Sequence, residues 1–270
     1  MANLRGMNSA RMPALYLPHG GGPSFFMTGE RKARYQQTED FLRSVVGLLP
    51  AKPSAILIIT AHWETAVPSF TGGTRPELIY DYYGFPPETY ALQYPAPGHP
   101  ALAARAAALL QQAGFPAQVD ADYGWDHGVF IPLKVMVPDA DIPVVAMSLQ
   151  ASLDPALHCA LGQALSSLRD EGVLIVGAGM SYHNLREFAT YAPESFAFHD
   201  WLDGALGGTR AERTEQLAQW HSAPGGRASH PREEHLLPLM VASGAGSDAP
   251  GRSIWRGNVG PTCLGAWAFD

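Results

Sequence analysis

Histidines follow three of the short apolar segments of this 270-residue chain, and their placement indicates a shared site. His19, His62 and His183 each lie just beyond a run rich in Val, Ile or Leu, of the kind that forms a strand covered on both faces. Open α/β sheets bind ligands at the carboxyl ends of such strands. Imidazole is a common metal ligand and also exchanges protons near neutral pH. We therefore expect these three histidines to converge on one metal or acid–base site.

Two further histidines lie in segments that could complete this site. His127 belongs to a turn over residues 123–128, where Asp126 could orient its neighbour or a partner on another loop. His235 belongs to residues 230–239, whose pattern predicts the start of a helix. Two histidines with one further ligand on one face suit iron(II) or zinc and leave coordination positions open for other molecules.

The predicted helix limits which residue can be the third ligand. Pro231 would stand near the first helical position. Glu234 and His235 are adjacent, so on a regular helix they point about 100° apart and cannot both reach one metal. One of the two is then the ligand, and the other has a supporting or structural role.

The remaining five histidines carry weaker signals. His99, between Gly98 and Pro100, is predicted to start a helix. Helical patterns place His158, His199 and His221 at surface or boundary positions. His230 suits a helix N-cap or a pocket rim.

Alternating apolar and helical patterns predict an α/β fold, with a central mixed, largely parallel sheet flanked by helices. No repeat or linker divides the chain, so residues 1–270 are expected to form a single layered domain. The predicted strands are 14–17, 55–59, 142–148 and 173–176. The predicted helices are 37–49, 100–113, 154–169 and 210–221. The predicted loops are 20–29, 72–76, 83–100, 224–232 and 243–252.

Composition excludes several classes of function. Hydrophobic residues make up 46% and charged residues 16%, which argues against long disorder. The net charge of -7 disfavours a nucleic-acid binder, since phosphate binding needs clustered Lys and Arg. No apolar run approaches the roughly 20 residues of a membrane span, and no N-terminal leader pattern is present, so no membrane partner and a cytoplasmic location are expected. Cys159 and Cys263 lack metal or redox spacing, and the possibility of a homo-oligomer stays open.

Six segments in a fixed order resemble a known family. They run from near residue 12 to the C-terminal region, so nearly the whole chain takes part, and the ordered set is far more specific than any one motif. The segments are 12–20 (MPALYLPHG), 60–63 (TAHW), 90–98 (YALQYPAPG), 124–128 (GWDHG), 182–185 (YHNL) and 234–239 (EHLLPL). The chain resembles the class III extradiol ring-cleavage dioxygenases of the protocatechuate 4,5-dioxygenase catalytic-subunit type, in particular the single-chain DOPA 4,5-dioxygenase-like branch.

The resemblance implies one non-haem iron(II) ion, or zinc in some isolated members. It implies that His19, His62 and His235 bind the metal, that His183 is the acid–base histidine, and that His127 contacts substrate or oxygen. The protocatechuate-type enzymes use a carboxylate as the third ligand, so Glu234 stays an alternative to His235. Gly21 and Gly22 replace the more common Ser-Pro, which leaves the pocket near residues 23–26 undetermined.

The function implied is insertion of both atoms of O2 into a catechol-type ring beside its two hydroxyls. A neutral histidine, for which we choose His183, would take a hydroxyl proton. Two alternatives remain: a zinc-dependent hydrolase using the same ligands, which no HExxH helix supports, and a non-catalytic binding protein on the same fold, which would predict missing site histidines. The sequence does not identify which catechol is the substrate.

Overall fold

The computed structural model describes residues 10–188 and 192–270. Eight strands lie in this part of the chain. They are β1 (Ala14–Pro18), β2 (Ala55–Thr65), β3 (Ser69–Thr71), β4 (Gln118–Asp120), β5 (Val144–Gln150), β6 (Val173–Gly179), β7 (Arg252–Val259) and β8 (Thr262–Phe269). The four predicted strands correspond to β1, β2, β5 and β6, which are the apolar strands at the centre of the sheet.

Nine α-helices lie in the same described ranges. They are α1 (Gly29–Arg34), α2 (Gln36–Ser44), α3 (Pro100–Gln112), α4 (His127–Met136), α5 (Pro155–Leu165), α6 (Pro193–Leu206), α7 (Arg210–Ala218), α8 (Gly226–Ser229) and α9 (Leu237–Ala245). The predicted helices correspond to α2, α3, α5 and α7. All four end earlier than predicted. Helix α3 ends one residue early, whereas α2 and α5 tighten into 3-10 turns and a separate short turn follows α7.

The sheet is mixed, with the strand order β4-β3-β5-β2-β6-β1-β8-β7. The central strands β5, β2, β6 and β1 are parallel to one another, and β8 joins β1 in antiparallel orientation. Neighbouring parallel strands end at the same edge of a sheet, so the segments after β1, β2 and β6 emerge side by side. The predicted α/β fold with a mixed, largely parallel central sheet is confirmed.

Alternate residues of the central strands supply two apolar cores, one on each face of the sheet. Along β2, Leu57 and Ile59 join the core beneath α3, α5 and α9, whereas Ile56 and Ile58 join the core beneath α2 and α4. Both faces are therefore covered, which explains why these strands are continuously apolar rather than alternating.

Helix α9 lies unusually close to strand β6, because the strand presents glycines there. A Cβ added at Gly177 would lie 2.2 Å from the carbonyl oxygen of Pro238, and one at Gly179 would lie 2.2 Å from that of His235. Any side chain at these positions would push the helix away from the sheet. The glycines thus bring the segment that carries His235 against the end of β6.

Three local predictions are wrong. The helix after residue 230 begins at Leu237 rather than near Pro231, so Glu234 and His235 lie in the turn before it. The predicted loop 224–232 contains α8, and the predicted loop 243–252 contains the end of α9. In these two loops Gly and Ser residues are tolerated in a short or buried helix because tertiary packing outweighs their low helix propensity.

None of the helices in the described ranges has the length and apolar character needed to cross a membrane.

Candidate metal centre

His19 lies at the end of β1, and its ring makes no hydrogen bond within the described ranges. Its backbone N–H donates to the carbonyl oxygen of Gly179, 3.1 Å away, which ties it to the end of β6. The side chain is 2% exposed, and neither ring nitrogen has a hydrogen-bond partner in the described part of the chain. Buried polar atoms are rarely left unpaired, so an unpaired imidazole in this place indicates a ligand-binding position.

His62 lies inside β2, not beyond it as predicted, because the strand continues to Thr65. The pairing of β2 with β5 shifts register between Ile59 and Glu64, so the strand is irregular at the histidine. A register shift of this kind can re-aim a side chain beside a functional site.

Asp126 fixes the orientation of the His62 ring. Its Oδ1 lies 3.2 Å from His62 Nδ1, and the same oxygen accepts from the Thr60 hydroxyl at 2.7 Å and from the Gly128 N–H at 2.8 Å. A carboxylate cannot donate, so His62 Nδ1 carries the proton and the lone pair is on Nε2. Asp126 therefore orients a partner on another segment, which is one of the two roles that the sequence left open for it.

His235 is oriented in the same way by its neighbour in sequence. Its backbone carbonyl accepts from the Tyr16 hydroxyl at 2.8 Å and from the Met180 N–H at 3.1 Å. Its Nδ1 lies 3.0 Å from Glu234 Oε1, so its Nε2 is free to face the site. Glu234 thus hydrogen-bonds to the outer side of the His235 ring, in the supporting role allowed for one of this pair.

The three rings form a nearly equilateral triangle. Ring centroids are 4.8 Å apart for His19 and His62, 5.1 Å for His19 and His235, and 5.0 Å for His62 and His235. One ligand atom from each lies within 4.8 Å of the others, and the Nε2 atoms of His62 and His235 are 3.1 Å apart. This arrangement could hold one metal ion on a single face, with coordination positions left open.

Two of the three rings are held neutral by burial, and the third lies against carboxylates. Burial, followed by the neighbouring histidines, lowers the pKa of His19 and of His235 well below the usual value, so both rings are neutral. Burial also lowers the pKa of His62, but the hydrogen bond and charge of Asp126, with Asp81 and Glu234, outweigh it and raise the pKa overall. Neutral imidazoles offer lone pairs, and the carboxylates behind them add negative charge that stabilises a metal cation.

His127 forms the first residue of α4 rather than part of a turn. Asp126 caps this helix, and Asp81 Oδ1 accepts from both the backbone N–H and the ring Nδ1 of His127, each at 2.8 Å. The ring stacks on that of His62, with centroids 4.0 Å apart. Burial is the main cause that lowers the pKa of His127, although Asp81 opposes it.

His183 lies beyond β6 against the opposite side of the triangle. Its backbone N–H donates to the Ser229 carbonyl oxygen at 2.8 Å, and its ring stacks on that of His235 with centroids 3.2 Å apart. Its Nδ1 lies 3.6 Å from Glu234 Oε1. Burial lowers the pKa of His183, with Glu234 opposing, so the ring is neutral near pH 7 and can accept a proton.

Two other groups of side chains could also hold a cation by distance alone. These are His62 with Asp81 and His127, and His183 with Glu234 and His235. In both groups the carboxylate is already hydrogen-bonded to a ring Nδ1, at 2.8 Å for Asp81 and 3.0 Å for Glu234. We therefore assign these carboxylates to orienting the histidines.

The five other histidines serve the fold in different ways. His99 begins α3, with its ring accepting from the Leu102 N–H, as predicted. His158, His199 and His230 are buried rather than at the surface, the pocket rim or a helix N-cap, so those predictions are wrong. His221 is exposed. A helical pattern does not show which face is covered when both sheet faces and several helices share a core.

Sequence reasoning missed two supporting residues. Asp81 belongs to none of the six ordered segments, and Thr60 is only the first residue of one of them. Both act across long separations in the chain, Asp81 on His127 and Thr60 on Asp126, so no local pattern reveals them.

A cleft of about 480 Å³ opens beside this centre. Arg232, whose position the sequence did not define, pairs with Glu64 and Glu234 at its edge. The lining residues are His183, Asn184, Leu185, Arg186, Glu187, Pro231, Arg232 and Glu234. His183 is therefore within reach of a small molecule from solvent.

Comparison with known proteins identifies the relatives of this chain. Residues 13–263 match the family described as the catalytic LigB subunit of aromatic ring-opening dioxygenase. "Dioxygenase tasH" of Hapsidospora irregularis is 40% identical, covering 86% of this chain and 78% of that protein. A "4,5-DOPA dioxygenase extradiol" of Portulaca grandiflora is 41% identical over 74% of this chain and 76% of its own length. The Escherichia coli K12 protein of the same name is 36% identical over 88% and 87%.

A solved structure shares the fold. An uncharacterized protein from Escherichia coli K12 superposes with a TM-score of 0.78 and 32% identity, covering 96% of this chain and 100% of that one. These relatives favour neither a zinc hydrolase nor a non-catalytic binding protein. The chain belongs to the LigB family and is a ring-cleaving dioxygenase of the extradiol type, as its ordered motifs predict.

Proposed function

We propose that this protein uses a single iron(II) ion to open a catechol-type ring beside its two hydroxyls, with insertion of both atoms of O2. His19, His62 and His235 are the proposed metal ligands, and His183 and His127 the proposed catalytic residues. Residues 1–270 would form one catalytic domain. The observation that carries the proposal is the triangle of imidazoles formed by His19, His62 and His235. The ring nitrogens of His19 have no hydrogen-bond partner in the described ranges.

The choice of iron follows from the reaction. Bound iron(II) supplies the redox chemistry that couples a catechol to O2, whereas zinc has no accessible change of oxidation state. The same nitrogens also suit zinc, so we expect zinc to compete for the site during purification.

The chain's own residues would manage the protons. His183 is neutral and faces the solvent-accessible cleft, so it can take the proton from a catechol hydroxyl. Its Nδ1 lies 3.6 Å from Glu234, whose negative charge would stabilise the imidazolium that forms. The imidazolium of His183 would later return this proton to the substrate as the ring-opened semialdehyde forms.

His127 would contact substrate or oxygen on the other side of the centre. Asp81 holds its Nδ1 proton, which leaves Nε2 as the nitrogen that faces a reactant. His19 and His235 are 2% and 5% exposed, so bulk water is largely kept from these two rings.

The test is oxygen uptake after anaerobic loading with iron(II). We expect catechol-dependent O2 consumption, a yellow product, and both oxygen atoms of labelled O2 in that product. His62→Ala should lose bound metal, whereas replacement of the exposed His221 by Ala should retain it. Metal content that is unchanged in His62→Ala would refute the ligand assignment, and ester hydrolysis by the zinc form without oxygen uptake by the iron form would refute the reaction.

A further inference from the structure

A second cleft, of about 640 Å³, lies along α1. We refer to it as the α1 cleft. Its lining within the described ranges is mostly apolar, with a few polar groups from α1 and the residue that follows it. The lining residues are Gly21, Glu30, Arg31, Arg34, Tyr35, Phe85, Leu185 and Phe188.

The walls of the α1 cleft come from the segments that carry the site histidines. Gly21 is two residues after His19, and Leu185 is two residues after His183. Leu185 also borders the cleft that exposes His183, so the two clefts adjoin.

Phe85 forms a third wall of the α1 cleft and is linked to the metal centre by contacts between aromatic rings. The Phe85 ring packs on that of Tyr82 with centroids 5.4 Å apart, and Tyr82 packs on His127 at 5.7 Å. The α1 cleft is thus built against the same face of the protein as the proposed reaction.

Arg31 is an uncompensated positive charge in this cleft. Its guanidinium lies over the Phe85 ring, 4.6 Å from the centroid. Within the described ranges no carboxylate pairs with it, whereas Arg34 is paired with Glu30 at 3.0 Å. A guanidinium held on an aromatic ring keeps its donors available for a carboxylate.

Tyr35 adds a hydroxyl donor to the same cleft. Its side chain is 6% exposed, and no group in the described ranges hydrogen-bonds to the hydroxyl. Burial raises the pKa of Tyr35 to about 12, although Arg31 and Arg34 oppose it, so the group stays protonated. It can therefore donate to an anion.

Gly21 makes room for this hydroxyl. A Cβ at that position would lie 2.2 Å from the Tyr35 oxygen. The serine that is more common at this position in the resembling family would therefore meet the Tyr35 hydroxyl.

We propose that the α1 cleft binds the ring substituent of a catechol substrate, and that it favours a substituent that ends in a carboxylate. The inference rests on the proposed ring-cleaving function of the centre. Arg31 and the Tyr35 hydroxyl bind the carboxylate, while Phe85 and Leu185 contact the apolar spacer. A substituent ending in an ammonium group is disfavoured, because it would meet the free guanidinium of Arg31.

Three catechols that differ at the end of the substituent test this preference: 3-(3,4-dihydroxyphenyl)propionate, 4-ethylcatechol and dopamine. In the iron-loaded wild type we expect the propionate to have the lowest KM. Arg31→Met should raise its KM about tenfold, leaving the KM for 4-ethylcatechol and the kcat for both within twofold. Arg105→Met, which removes an exposed guanidinium paired with Glu171 outside the cleft, should change neither KM.

Binding to the zinc-loaded protein separates this inference from the reaction itself. By calorimetry the propionate should bind about tenfold tighter than 4-ethylcatechol, and Arg31→Met should abolish the difference. This result would support the carboxylate site even if no catechol consumed oxygen. Oxygen uptake without any preference for the propionate, or equal losses for both catechols in Arg31→Met, would overturn it.

Gly21→Ser and Tyr35→Phe give a second measurement. A serine side chain would crowd the Tyr35 hydroxyl. In Gly21→Ser we therefore expect the KM for the propionate to rise, relative to wild type, more than the KM for unsubstituted catechol. Tyr35→Phe should weaken binding of the propionate alone, about fivefold. An unchanged ratio of the two KM values in both variants would refute the assignment of the cleft.

Discussion

Replacement of Asp126 by Asn should weaken metal binding and, by a comparable free energy, the stability of the fold. Asp126 Oδ1 accepts from the His62 ring, from Thr60 and from Gly128, and the side chain is 1% exposed. Asn keeps an oxygen acceptor and is as good an N-cap as Asp, so α4 should still form. It removes the negative charge behind His62 that stabilises a bound cation.

The size of the effect follows from these contacts. Outer carboxylate partners of metal-binding histidines typically contribute 10-fold to 100-fold in metal affinity, or about 1.4 to 2.7 kcal/mol. Asp126 Oδ2 has no hydrogen-bond partner in the described ranges. The amide NH2 of Asn would be buried at that position, at a cost of about 1 to 3 kcal/mol of stability.

The assay is competition with a chelator for zinc and, anaerobically, for iron(II), with urea unfolding of the metal-free protein measured alongside. Asp154→Asn is the matched control, because Asp154 caps α5 through the Leu157 N–H and contacts no site histidine. We expect its metal affinity to stay within twofold of wild type. An Asp126→Asn protein that binds metal as tightly as wild type would refute the supporting role of the carboxylate.

Three further outcomes are expected. His183→Ala should retain metal but lower kcat by about 100-fold or more, since a proton acceptor contributes roughly that much; metal loss in this variant would contradict its role. His230 is fully buried, and burial lowers its pKa to about 3, whereas the pKa of histidine in the unfolded chain is about 6.5. As the pH falls below about 6.5, the unfolded state therefore takes up a proton that the folded state does not. Wild type should therefore lose about 2 kcal/mol more stability than His230→Gln between pH 7.5 and 5, measured by urea unfolding. Gly177→Ala should lower stability by about 1 to 3 kcal/mol and weaken metal binding, because the new Cβ would lie 2.2 Å from the Pro238 carbonyl oxygen. The control Gly204→Ala in α6 has open space around it and should be neutral or slightly stabilising.

The central sheet was predictable from the sequence because its strands are covered on both faces. Continuous apolar runs identify β1, β2, β5 and β6. The short strands β3 and β4 have three residues each, and the edge strand β7 is largely exposed, so none of these carries an apolar run that periodicity could detect.

The histidines could be nominated from sequence for a related reason. Parallel strands deliver their following residues to one edge, so residues after separate strands can be expected to meet. His19 and His183 fit this rule, and His62 meets them from an irregular point within its strand. The rule does not apply to His235, whose turn is brought in by the close packing of α9 on the glycines of β6.

The sequence by itself determined the fold class, the family and the five histidines that share the centre, because strand burial and ordered motifs are local properties of the chain. Only the tertiary structure decided how those histidines are oriented. The carboxylates of Asp81 and Asp126, and the guanidinium of Arg31 over the Phe85 ring, owe their contacts to residues distant in the chain. Hydrogen bonds and charge act over a few ångströms in space regardless of separation in sequence, so these roles appear only once the chain is folded.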